Sequence, residues 1–161
     1  MSAPEQKVAF ITGASRGIGR ATALALGRQG IAIAIGYRKE REAADRLAGE
    51  LESLGSRGVP IQLDMGDAEA RDRAFDEVEE HFGGLDVFVA NAAATAFKPL
   101  SQIKPHHVEK TFAITVNGFL FGVQRAATMM EKRGGGVVVG VSGYDCVRTI
   151  PRHGVLGAAH G

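Results

Sequence analysis

Short runs of apolar residues alternate along this chain with longer stretches in which apolar residues recur every three or four positions. Residues 8–12, 31–35, 59–63, 85–90 and 137–141 are the short runs. Their nearly continuous apolar character predicts strands buried on both faces. The stretches between them predict helices. Ile18, Ala21, Ala25 and Leu26 fall on one face of the first, with Gly30 as its stop. A charged helix over residues 40–54 turns Ala44, Leu47, Leu51 and Leu54 inward and its charges to solvent. Asp67 has the position of an N-cap, and Phe75, Val78 and Phe82 form the stripe of a third helix. Pro105 suits the first turn of a long helix running to about residue 132, closed by Gly134, Gly135 and Gly136.

Strand and helix therefore alternate five times. This predicts an α/β fold: a parallel sheet with helices on both faces, doubly wound through right-handed crossovers, in strand order 3-2-1-4-5. Residues 1–161 form one domain, with no repeat and no linker. In such a sheet ligands bind outside the carboxyl ends of the strands, near the reversal in strand order. Every unusual motif of the chain falls at such an end.

Composition narrows the function classes. Hydrophobic residues at 45% and charged residues at 23% describe a globular chain, not a disordered one. Nineteen Lys and Arg against eighteen Asp and Glu give +1, so no bulk charge draws the chain to nucleic acid or membrane. No apolar segment reaches the roughly 18 residues of a membrane span, and residues 8–11, after a polar start over residues 1–7, are too short for a signal-peptide core. One cysteine, Cys146, cannot form an internal disulfide. A cytoplasmic address is expected. Glycine stands out, at 22 of 161 residues, about twice the usual ~7%.

Three of those glycines lie in Thr12-Gly13-Ala14-Ser15-Arg16-Gly17-Ile18-Gly19, between the first strand and the first helix. The first allows a tight turn, the second lets backbone approach a pyrophosphate, and the third lets helix pack on strand. The helix N-terminus offers N–H groups and the positive end of its dipole. Ser15 and Arg16 also suit phosphate contact, and Ile18 lies among them.

This loop resembles that of the short-chain dehydrogenase/reductase family, which reads T-G-x-x-x-G-x-G. The likeness runs through nearly the whole chain and implies a Rossmann fold that binds a nicotinamide dinucleotide. It implies that Asp64, with Met65 beside it, holds the adenine. Ala90-Asn91-Ala92-Ala93 resembles the family's N-N-A-G turn. The resemblance gives Asn91 and Ala92 the nicotinamide ribose, and Asn117 the place of the family's catalytic-site Asn. The second strand ends in Gly36-Tyr37-Arg38-Lys39, with no acid before Glu40 to accept from a ribose. Arg38, with Arg16 and Lys39, would instead bind a 2′-phosphate through charge-assisted bonds. NADP(H) is expected over NAD(H).

The family's proton donor and the cation that lowers its pKa are usually Tyr and Lys in Y-x-x-x-K, with a Ser about a dozen positions earlier. Here Leu156 aligns with the Tyr and His160 with the Lys, and Gly143 takes the second Ser, leaving Ser142. A second alignment resembles enoyl-acyl-carrier-protein reductases with a longer Y-x6-K spacing. It puts His153 at the Tyr and His160 at the Lys, and Met130-Glu131-Lys132-Arg133-Gly134-Gly135-Gly136 resembles that subgroup too. Histidine donates protons near neutral pH but does not copy a permanently charged lysine. Tyr144 is off the family position. The histidines have no metal-ligand spacing, and no G-x-S-x-G elbow is present.

The resemblance also implies further strands and a substrate lid beyond this length. Without them the sheet is expected to expose an apolar face and an unpaired edge, completed by more chain or by a partner subunit, with a homo-oligomer expected for a full-length chain. Two function classes remain. One is an NADPH-dependent reductase of a small molecule or an acyl thioester, enoyl thioesters included. It would use Asn117, Ser142, His153 and His160. The other is a nucleotide-binding, catalytically silent relative that acts through binding or assembly.

Overall fold

The computed structural model describes residues 6–161; the rest of the polar start lies outside the described residues. Five parallel strands form one sheet in the order β3-β2-β1-β4-β5. They are β1 (Val8–Ile11), β2 (Ala32–Tyr37), β3 (Gly58–Gln62), β4 (Val87–Ala90) and β5 (Val137–Gly140). The connecting helices are α1 (Gly17–Gly27), α2 (Arg41–Ser53), α3 (Ala68–Phe82), α4 (Pro105–Phe112) and α5 (Gly118–Glu131), with α6 (Gly154–His160) after β5. The reversal of strand order lies between β1 and β4, and their carboxyl ends open there. Among the described residues no helix is long and apolar enough to cross a membrane.

The sheet buries a different core on each face. On one, Phe10, Phe75 and Phe88 meet with ring centroids 5.1–5.9 Å apart, and Met129 and Met130 of α5 close over them. On the other, Ile11, Ile33 and Ile35 pack against Ala44, Leu47 and Leu51 of α2. At the amino edge Asp86 accepts from Val8 N at 2.8 Å and from Arg133 Nη1 at 2.8 Å. That tie joins β1 to the end of α5, opposite the open side.

The structure corrects the sequence in four places. The buried face of α1 is Gly19, Ala23 and Gly27, whereas Ile18, Ala21 and Ala25 are exposed. Only residues without bulk fit, because a Cβ on Gly19 would lie 2.6 Å from the Gly13 carbonyl oxygen. Leu54 is exposed, since α2 ends at Ser53. The long helix is two helices joined by a π-helical turn, Ala113–Asn117. Such a turn inserts one residue and rotates the helix beyond it. Finally, β5, read from its apolar run as buried on both faces, is solvent-exposed along its whole length, with Val137, Val138 and Val139 uncovered; it is the exposed apolar edge expected of a sheet without further strands. The helix after it, α6, spans only seven residues.

The seam between α1 and its neighbours makes a prediction. Gly19→Ala would push a methyl into backbone and should lower stability by about 1–3 kcal/mol in urea denaturation. In Gly27→Ala the obstacle is the end of the Leu51 side chain rather than backbone. Relief there, with a helix-propensity gain of up to about 1 kcal/mol, should leave that variant near wild type.

Candidate functional site

The chain leaves β1 through Thr12, whose buried hydroxyl joins the two strands at the reversal. Thr12 Oγ1 accepts from Asn91 N at 3.0 Å and Ala92 N at 2.9 Å, and donates toward Val89 O at 3.5 Å. Gly13 and Gly17 then take φ of +66° and +56°, so the loop turns sharply into α1. Arg16 at the N-cap gives no side-chain cap, and the first turn of α1 holds no acid. The third connecting helix differs: Asp67 there accepts from Ala70 N at 2.9 Å, and Glu69 lies in its first turn. The amino end of α1 thus keeps its N–H groups and dipole for an anion.

A groove of about 420 Å³ lies over this end. Gly13, Ser15, Arg16, Gly17 and Ile18 form its floor, with Arg38 at one end. Asp64, Met65, Asn91 and Ala92 form the far wall. Of the positions the sequence assigns to a cofactor, only Gly19 lies outside the groove lining, buried beneath the loop. Asp64 Oδ1 accepts from Gly66 N at 3.0 Å and shapes its own turn. Asn91 does a job the sequence did not assign: its Nδ2 donates to Thr12 O at 2.9 Å and Gly13 O at 3.3 Å, bracing the loop from behind. Arg16, Arg38 and Lys39 are exposed and form no ion pair among the described residues. Glu40 shares the groove with them.

A smaller cavity of about 210 Å³ adjoins the groove, sharing Met65, Ala92, Ala93 and Ile114 with it. Its polar lining comes from Thr12, Thr115, Ser142 and His160. Thr115 Oγ1 and His160 Nε2 are shielded from solvent and have no hydrogen-bond partner among the described residues. Thr115 was invisible to sequence reasoning, since no motif marks it; it lies within the π-helical turn.

The predicted catalytic set divides. Ser142 and His160 border the cavity together. Asn117, at the end of the π-helical turn, is exposed and outside the lining, whereas Thr115 of the same turn is part of it. His153 occupies the N-cap position of α6 without a side-chain cap and lines a separate pocket with Cys146 and Arg148, its ring 4.8 Å from that of Phe97. Tyr144 is exposed.

Asp145 joins the two histidines. Its carboxylate, 3% exposed, receives His153 Nδ1 at 3.0 Å and His160 Nδ1 at 3.1 Å on its two oxygens. Burial pushes its pKa up, but hydrogen bonds and positive charge from His160 and His153 outweigh this and hold it below the ordinary value. No group of three His, Cys, Asp or Glu among the described residues is arranged to hold a metal ion.

Comparison with known proteins agrees with this geometry. The family profile described as short chain dehydrogenase matches residues 7–160. The 1-cyclohexenylcarbonyl-CoA reductase of Streptomyces collinus is 40% identical over 156 residues, covering 97% of this chain and 55% of the relative. Versicolorin reductase stcU of Emericella nidulans is 37% identical over 96% of this chain and 58% of its own length. An alcohol dehydrogenase from Thermococcus sibiricus, solved with 5-hydroxy-NADP, superposes with a TM-score of 0.89 at 32% identity, over 97% of this chain and 66% of that one. The chain spans somewhat over half the length of these curated relatives.

Two outcomes are expected. Thr12→Val leaves two amide donors without an acceptor and should cost about 2–6 kcal/mol, at roughly 1–3 kcal/mol per orphaned group; Thr12→Ser should restore most of it in the same denaturation experiment. The depressed Asp145 pKa contributes stability that is present above its ordinary value of 3.8 and lost as pH falls through the lower folded value. The stability gap between wild type and Asp145→Asn at neutral pH should therefore narrow below about pH 3.8 in pH-dependent melting.

Proposed function

Because the chain belongs to the short-chain dehydrogenase/reductase family, we propose that it is the nucleotide-binding part of an NADPH-dependent reductase acting on an acyl thioester. The observation that carries this reading is the uncapped amino end of α1, open at the floor of a groove that ends among unpaired arginines. Gly13, Ser15 and Gly17 offer the loop to a pyrophosphate. Arg38 and Lys39 line the groove and would receive a 2′-phosphate, their two positive charges set against the one carboxylate of Glu40 beside them. The bound nicotinamide supplies hydride. Every other function falls to the chain: Met65 and Ile114 exclude water where groove and cavity meet, Ser142 donates to the thioester oxygen, and His160 provides the proton. The thioester class rests on the Streptomyces relative, named for reducing a CoA thioester. Self-association belongs to the same reading, since Phe119, Leu120 and Phe121 are exposed together with β5.

Fluorescence titration with each nucleotide tests the binding half. NADPH should bind at least about tenfold tighter than NADH, or roughly 1.4 kcal/mol, and Arg38→Glu should erase that difference. Equal affinities in wild type would sink the preference. NADPH oxidation with crotonyl-CoA tests the chemistry: His160→Ala should cost about 10²–10⁴ in rate, as expected for a lost general acid. A folded, NADPH-bound chain without turnover would favour a silent nucleotide-binding relative.

A further inference from the structure

Asp145 lies in a 3₁₀ turn, Tyr144–Cys146, that no sequence motif marks. Resting on the reading of His160 as the proton donor, we propose that Asp145 is its positioning residue, holding Nδ1–H so that Nε2 is the atom that exchanges a proton inside the cavity.

Four observations converge on this. An ionised carboxylate only accepts, so the His160 nitrogen 3.1 Å away donates to it. The other ring nitrogen is then the free one, and it is the atom shielded from solvent without a partner beside the adjoining cavity. His153 holds the second carboxylate oxygen from the opposite side, which fixes the plane of the group against rotation. Two glycines make the space: a Cβ on Gly143 would collide with Asp145 Oδ1, and one on Gly157 would lie 2.8 Å from the Asp145 carbonyl oxygen. Gly143 is the position where the family places a serine. The carboxylate and the imidazole therefore use room that opens only because that side chain is missing.

The proton step balances. When hydride from the reduced nicotinamide adds to substrate, the imidazolium gives its Nε2 proton to the resulting anion. The N–H electron pair stays on the ring. His160 becomes the neutral Nδ1–H form, which is the form Asp145 holds, and a proton from bulk solvent re-forms the imidazolium once the site opens to release product. Asp145 itself lines neither the groove nor the adjoining cavity.

Long-range proton–nitrogen NMR of the imidazoles in the full chain tests this without cofactor or substrate. Spectra are taken at about pH 8.5, well above the ordinary imidazole pKa of about 6.5, with His160 assigned through His160→Gln. In wild type the His160 proton should sit on Nδ1. In Asp145→Leu, which keeps the bulk and removes the acceptor, the Nε2–H form should become the major one. In Gly143→Ser, which forces the carboxylate aside, it should also increase. The His81 signals should not move. A wild-type proton on Nε2 overturns the proposal, as does an unchanged tautomer in folded Asp145→Leu. Should that variant fail to fold, the wild-type spectrum and Gly143→Ser decide. A purely structural tie would change melting temperature and leave the tautomer where it was. Because the spectra need no turnover, a chain inert toward NADPH can still pass or fail them, which keeps this inference separable from the reductase reading.

Discussion

Backbone meets backbone where α1 leaves the sheet, and the site depends on that contact. Gly19 packs with no side chain between it and the Gly13 carbonyl, and Asn91 fills the space behind both glycines. Any larger residue would lift the helix and move its amino end away from the strand ends. The contact also explains the hydroxyl of Thr12. With α1 pressed this close, the turn after β4 must be held at a fixed height, and one oxygen receiving two successive amides does so.

From this seam the order of the sheet gives the groove its direction. The phosphate loop and the β4 turn lie side by side because β1 and β4 are neighbours in space and far apart in sequence. Arg38 at the end of β2 and Asp64 after β3 extend the site outward on one side. Ser142 after β5 and His160 on α6 extend it on the other. One edge of the site is thus suited to charge and the other to proton transfer, with apolar Met65 and Ile114 between them.

The alternation of apolar runs and helical stripes made strand order and most of the groove legible. Burial of continuous apolar strands is a strong, local signal, and glycine spacing reports backbone geometry directly. What stayed hidden depended on distance or on one inserted residue. The α1 face was misread because apolarity pointed to Ile18 while close approach required Gly19, Ala23 and Gly27. Asn117 was placed by resemblance alone; in the fold it lies at the end of the π-helical turn, outside the cavity lining that Thr115 joins. Asp145 carries no motif, and only folding brings it between residues 8 and 15 positions away in sequence.

Gly143 has an evolutionary corollary. A serine side chain at that position and the Asp145–His160 contact compete for one volume. The two arrangements exclude each other, so substitutions at 143 and 145 are epistatic: restoring the serine alone creates a clash, and removing the carboxylate alone leaves two imidazoles without their shared acceptor. Once established, the glycine acts as a ratchet on the site around it.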